Sequence, residues 1–174
     1  SVTVYGNTGY SENEFELIGP DLKSVSSLTI KPCDTLLIDG DNFLKDLRLI
    51  SVHLNNVNCE VLTASEKQIK VLVPTFIPTG QEVDLKVTSS NIERTFSEKL
   101  IYQKPAINNV SSLSEITYGD TITFIGNLPL CETLLVKIGN AEVKPISQNK
   151  NQLKIIVPLT LNSYQNVIQI TYGV

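Results

Sequence analysis

Apolar and polar residues alternate with a period of two along much of the chain. Val83–Val87, "VDLKV", and Val167–Tyr172, "VIQITY", both follow this rule, which marks strands with one buried face. Ile69–Val73, "IKVLV", runs into Pro74, and Leu153–Val157, "LKIIV", runs into Pro158. Proline has no N–H to give to a ladder, so each strand closes there. No window keeps apolar residues at helical spacing over three turns. The apolar residues are mostly Val, Ile and Leu, with no Met or Trp, and Gly, Pro, Asn, Ser and Thr recur throughout. That mixture favours strands and turns. The pattern predicts an all-β protein.

The matching proline endings lead to an internal repeat. "CDTLLIDG" (33–40) matches "GDTITFIG" (119–126), and "EVDLKVTS" (82–89) matches "NVIQITYG" (166–173). Between them, "CEVLTAS…EKQIKVLVP" (59–74) aligns with "AEVKPISQNKNQLKIIVP" (141–158) once two residues are inserted. Two copies of one β domain are therefore expected, at 18–103 and 104–174. Residues 1–17 align with the end of the first copy, as two closing strands of a preceding unit. The second copy lacks a counterpart of "RTFSEKLIY" (94–102). Neither end is expected to be a natural terminus. The rival expectation is strand donation, with Phe15–Ile18 completing the second copy of another molecule. Each unit has about seven short strands with turn signals every eight to twelve residues, as in a two-sheet sandwich.

A chain of 174 residues accommodates two such units, and 41% hydrophobic with 18% charged residues is the composition of a folded protein. The net charge of −4 argues against a generic grip on a phosphate backbone. No apolar run reaches the ~20 residues of a membrane span.

The segment Ile38–Phe43, "IDGDNF", could be the start of a calcium loop or a turn between strands. Calcium needs six or more oxygens in an ordered series. The next acid after Asp41 is Asp46, at the wrong spacing, and the second copy keeps neither Asp39 nor Asp41. A turn is expected, with no metal.

With its Pro-x-Ile/Leu opening, "DTLLIDGDNF", a hairpin and an "IKVLVP" strand, the chain resembles the IPT/TIG family of immunoglobulin-like domains. The likeness is closer in the first copy, because Gly126-Asn127-Leu128-Pro129-Leu130 replaces Gly40-Asp41-Asn42-Phe43-Leu44 in the second. It implies tandem immunoglobulin-like sandwiches in which Gly40 takes a backbone conformation costly to other residues and Phe43 plugs the core. Leu128 is the expected substitute for that plug.

No catalytic or cofactor-binding constellation is present: there is no GxGxxG, Walker loop, Cys-x-x-Cys or His-x-x-x-His. The one histidine, His53, falls in the alternating "SVHLNN", a place for a solvent or interface side chain. Glu12 and Glu14 sit in a polar turn. The chain is not expected to be an enzyme or to hold a cofactor.

Cys33 and Cys59 of the first copy are both replaced in the second, by Gly119 and Ala141 in the alignment above. Joint loss suggests a disulfide, whose loop of about 25 residues would stabilise the domain by roughly 3 kcal/mol. Two separate buried thiols remain the alternative. Cys131 is left over, either as a small buried apolar residue or paired elsewhere. Asn109-Val110-Ser111 is a glycosylation acceptor that fits an extracellular array.

The composition and the repeated units resemble the tiger-type adhesion glycoproteins of social amoebae. This implies an extracellular, non-catalytic segment at the cell surface that binds a protein partner on another cell, homophilic or heterophilic. Membrane attachment would come only through an anchor outside the segment. Two alternatives belong to other classes. An accessory domain of a carbohydrate-active or bacterial surface protein would stack sugars on exposed aromatics, and Trp is absent. A transcription-factor segment needs a basic surface, whereas Lys and Arg number 14 against 18 Asp and Glu, so no nucleic-acid partner is expected. The candidate partner contacts are Phe76, Ile77 and Leu130, apolar residues in connectors, although the resemblance favours packing of such a connector against the end of its sandwich over contact with a partner.

Overall fold

The structure is a computed structural model that describes residues 2–4, 7–9, 17–78, 80–111, 116–131, 134–161 and 167–172. A short hairpin pairs β1 (Val2–Val4) with β2 (Asn7–Gly9). Glu12, Glu14 and Phe15 lie outside the described residues. The first sandwich contains β3 (Asp21–Val25), β4 (Thr29–Ile30), β5 (Thr35–Asp41), β6 (Ile50–Leu54), β7 (Val57–Ala64), β8 (Gln68–Leu72), β9 (Glu82–Val83), β10 (Leu85–Ser89), β11 (Ile92–Thr95) and β12 (Leu100–Tyr102). A single 3-10 turn, Leu47–Leu49, precedes β6. The second sandwich contains β13 (Ala106–Val110), β14 (Thr121–Asn127), β15 (Leu134–Ile138), β16 (Ala141–Val143), β17 (Ser147–Asn149), β18 (Gln152–Ile156) and β19 (Ile168–Tyr172). The described residues are all-β apart from that turn.

The long strand β7 folds the first sheet over. Val57–Cys59 pair with β6, and Glu60–Ala64 pair with β8. One ribbon in the order β11-β10-β6-β7-β8-β5-β3 thereby becomes two layers, and β11 comes back against β3. Alternating apolar residues of β5 (Leu36, Ile38), β6 (Val52, Leu54), β8 (Ile69, Val71) and β10 (Leu85, Val87) point between the layers and are fully buried. The parallel pair β4–β12, with β9, closes one side. There Tyr102 buries its ring and donates its hydroxyl to the Thr75 carbonyl at 2.7 Å, which satisfies the one polar atom taken inside.

The second sandwich packs β13-β14-β18-β17 over β16-β15-β19 around Ile122, Phe124, Val136, Leu153 and Ile155. Its counterpart of β7 is interrupted between β16 and β17 at Lys144-Pro145, where proline cannot continue a ladder.

The two sandwiches share their register. Thr35 faces Leu72 and Leu36 faces Val71 in one; Thr121 faces Ile156 and Ile122 faces Ile155 in the other. Each first strand carries a bulge at the same place, between Leu22 and Ser24 and between Ile107 and Asn109. The bulge brings the first strand onto a glycine. A Cβ on Gly40 would stand 2.0 Å from the Asp21 carbonyl oxygen, and one on Gly126 would stand 2.0 Å from that of Ala106. The glycine of the "IDGDNF" segment is thus required for space. The left-handed residue is Asn42, at φ 61, which corrects the expectation that Gly40 takes the unusual conformation. Phe43 and Leu128 are both buried, and their N–H groups bond matching carbonyls, Glu66 at 3.1 Å and Lys150 at 3.0 Å. Leu128 fills the place of the Phe43 plug.

Substituting Gly40→Ala should destabilise the first sandwich, and Gly126→Ala the second, each by roughly 3 kcal/mol, the upper range for overpacking. Denaturant unfolding followed in each sandwich by amide exchange checks this. An effect below ~1 kcal/mol at either site would contradict the close approach.

Candidate functional site

The junction between the sandwiches starts at the turn Lys31–Asp34. Here the Cys33 N–H donates to the Val73 carbonyl at 2.9 Å, and the Val73 N–H donates back to Asp34 at 2.8 Å. Gly119 and Val157 make the same bond at 3.0 Å in the second sandwich. The turn needs a left-handed residue: φ is 63 at Cys33 and 90 at Gly119. Glycine adopts this freely, whereas a residue with a Cβ gives up roughly 1–2 kcal/mol.

From that strained turn Cys33 forms a disulfide with Cys131 of the second sandwich, with Cα atoms 5.5 Å apart and a sequence separation of 98. The Cys131 N–H donates to the Cys33 sulfur at 3.1 Å. Beside it the Lys150 ammonium pairs with the Asp34 carboxylate. The Asn127 side-chain amide donates to the carbonyls of Gln103 (2.6 Å) and Lys104 (2.9 Å), which fastens the connecting segment to β14. An ion pair with side chains 52% and 27% exposed is worth no more than about 1 kcal/mol, and the amide bonds about 1 kcal/mol each. The covalent bond dominates. Asp120, the counterpart of Asp34, is exposed and folds back on its own turn instead. It accepts from the Thr117 N–H at 2.7 Å and the Thr117 hydroxyl at 3.0 Å, and these bonds hold its carboxyl below the usual carboxylate range.

The expected Cys33–Cys59 bridge is not formed. Cys59 is a free thiol in the core of the first sandwich, opposite Val52 in the β6–β7 hairpin. In the second sandwich Val143 stands opposite Val136. The true counterpart of Cys59 is therefore Val143, a residue of similar bulk, and not Ala141. The aligned tracts 59–74 and 143–158 then need no insertion. Cys59 is a small core hydrophobe, and Cys33 occupies a turn-glycine slot. Their joint replacement has two unrelated causes. Burial pushes the Cys59 thiol up from 9.0 to about 12.

Of the candidate contacts, Ile77 is fully buried in the first core, the alternative expected for its connector, and it is not a partner contact. Phe76 is 63% exposed and Leu130 41%. Phe76 comes three residues after Val73, the residue bonded to Cys33, and Leu130 directly precedes Cys131. Leu130 also borders an open groove of about 750 Å³ lined by Leu134, Val143, Pro145 and Ile146. The groove has a simple origin. β5 ends at Asp41 and β6 starts at Ile50, whereas β14 ends at Asn127 and β15 starts at Leu134, a loop two residues shorter. The longer loop lays its 3-10 turn against β6 and β7, while the shorter one is drawn away to Cys33.

Asn109 is exposed on the edge strand β13, at its bulge, and Ser111 of the same triplet accepts from the Thr123 N–H at 3.0 Å. His53 is half-buried on β6, between Asn58 and Lys86 of the neighbouring strands. Asp41 pairs with Lys23 and with Lys67 (3.5 Å), and Asp39 accepts from the Gln68 amide at 2.7 Å. Each acid of the "IDGDNF" segment is thus engaged by side chains of adjoining strands. Among the described residues no three His, Cys, Asp or Glu side chains gather as metal ligands would.

Two facing antiparallel layers, a strand that changes sheets and a parallel closing pair define an immunoglobulin-like sandwich. Residues 20–100 match the IPT/TIG domain, so the chain contains a domain of that kind. Among solved structures, the extracellular region of plexin A4 superposes with a TM-score of 0.52 at 14% identity, over 87% of this chain and 16% of that one. A protein of unknown function from Bacteroides thetaiotaomicron matches at 14% identity and TM-score 0.46, over 87% of this chain and 40% of that one. The surface glycan-binding protein PbSGBP-B from Prevotella bryantii matches at 17% and 0.35, over 90% and 39%. At these identities the likeness is one of fold, and it rests on the plexin. The chain spans well under half the length of each of these proteins. No curated protein matches the sequence.

Two outcomes are expected from thiol chemistry. Alkylation of the unreduced, denatured chain should label Cys59 alone, and peptide mapping should recover Cys33 joined to Cys131. A Cys33–Cys59 peptide would contradict the assignment. In the native chain Cys59 should resist alkylation at neutral pH. The raised pKa means the folded state holds its proton longer, so its contribution to stability is complete below pH 9 and is lost as pH rises from 9 towards 12.

Proposed function

We propose that the chain is an extracellular segment of a cell-surface adhesion or recognition protein, in which two tandem IPT/TIG sandwiches, 18–103 and 104–174, bind a protein partner on a neighbouring cell without catalysis. The observation that carries this reading is the disulfide between the sandwiches. Such bonds persist in oxidising surroundings, outside the cytosol. The shared register, bulge and buried glycine support a second copy of the domain matched at 20–100. The exposed acceptor Asn109 supports a glycoprotein, because a glycan there would also shield the open edge of β13.

Phe76 and Leu130 are the contact residues in this reading. They come from different sandwiches that the Cys33–Cys131 bond joins, so one partner that contacts both would read a composite surface. Large apolar side chains in such a surface are the usual anchors of an interface. The tiger-type proteins of social amoebae remain the proposed relatives, and the anchor lies outside this segment.

Multimerised chain should bind cells that carry the partner, and Phe76→Asp should weaken binding at least tenfold without changing the melting temperature. The natively expressed protein should carry a glycan mass at Asn109. Undiminished binding by both Phe76→Asp and Leu130→Asp would remove the proposed surface. An unmodified Asn109 together with free Cys33 and Cys131 in the native protein would remove the extracellular assignment.

A further inference from the structure

We propose that the Cys33–Cys131 bond is a force clamp: tension along the chain crosses from the turn before β5 to the loop after β14 through two sulfur atoms, leaving most of the first sandwich out of the load path. This goes beyond the recognition reading and holds whatever the partner is.

The argument is one of path length. Cys33 and Cys131 stand 5.5 Å apart at their Cα atoms, yet 98 residues apart in sequence. Stretched, the polypeptide between them would reach roughly 330 Å. When two points are joined by a short path and a long one, the short path is taut and the long one is slack. The slack segment contains β5 to β14, and with them every buried apolar residue of the first core except Ile30. Only β3 and β4 precede the clamp within that sandwich, and tension entering from the amino-terminal side can strip no more than these.

Both ends of the clamp are anchored. The turn bearing Cys33 exchanges two backbone hydrogen bonds with Val73, Cys33 to Val73 at 2.9 Å and Val73 to Asp34 at 2.8 Å. Cys131 follows Leu128, which is buried in the second core and bonded to the Lys150 carbonyl at 3.0 Å. Lys150 in turn reaches back to Asp34, so the ion pair lies alongside the bond it would spare from shear. A cysteine stands where the second sandwich has Gly119, in a conformation that favours glycine. The side chain that reaches the second sandwich leaves from this left-handed position.

Single-molecule stretching of the 174-residue chain from its two ends tests this, with and without dithiothreitol. The dithiol is oxidised to its cyclic disulfide as the protein bond takes up two electrons and two protons and becomes two thiols. Without reductant, complete unfolding should release a contour length shorter by roughly 330 Å than with it. The variant Cys33→Gly/Cys131→Ser should give the long release in both conditions, and its first sandwich should open at forces that leave the wild type closed. The substitution at 33 supplies the residue found at 119, which keeps the turn. Should that variant misfold, the comparison of wild type with and without reductant still decides. Full release from the wild type without reductant would overturn the proposal, as would opening of the first sandwich at the same force in wild type and variant.

Discussion

Two hydrophobic cores that each close on themselves have little reason to hold a fixed angle. Among the described residues the apolar clusters of the two sandwiches are separate, and the polar contacts at the junction are an exposed ion pair, the Cys131 N–H to the Cys33 sulfur and the grip of Asn127 on the connecting segment. Such contacts sum to a few kcal/mol at most, comparable with the freedom lost on ordering the connector. The Cys33–Cys131 bond changes that balance, because it closes a loop of nearly one hundred residues. In the chain-entropy view this removes roughly 4–5 kcal/mol of freedom from the unfolded state.

The consequences run outward from the bond. Cys131 pulls the short β14–β15 loop to the junction, and the groove beside Leu134 and Pro145 stays uncovered where the first sandwich has its 3-10 turn. Leu130, next to Cys131, is carried to the junction with it. On the proposed reading, a partner that contacts both Phe76 and Leu130 needs that junction fixed.

Much of this was legible in the sequence. Alternation and the proline stops gave the strands, and the repeated "DTLLIDG" and "DTITFIG" gave two units with one register. The Phe43 plug followed from the family resemblance, and its replacement by Leu128 from the alignment of the two copies, because a core position accepts another apolar side chain of similar bulk. The cysteines misled for a physical reason. The matched pairs Glu60-Val61 and Glu142-Val143 suggested an alignment that the hairpins refute. Aligning instead on the tight turns, Asn55-Asn56 with Gly139-Asn140, sets Cys59 against Val143. The "KPCD" and "TYGD" turns held a further clue, since a cysteine in a glycine slot points out of the fold. The connector 75–79 was legible as one that packs on the end of its sandwich, which holds for Ile77, whereas its neighbour Phe76 is exposed. The reason for Gly40 was not legible, because it depends on a bulge in a strand twenty residues earlier.

Residual dipolar couplings measured on the backbone amides of the unreduced chain bear most directly on the claim that the disulfide makes the two sandwiches one body. The account predicts that a single alignment tensor fits both sandwiches before reduction and that two different tensors are needed after it. Two different tensors in the unreduced chain would mean that the junction moves despite the bond, and would contradict the account.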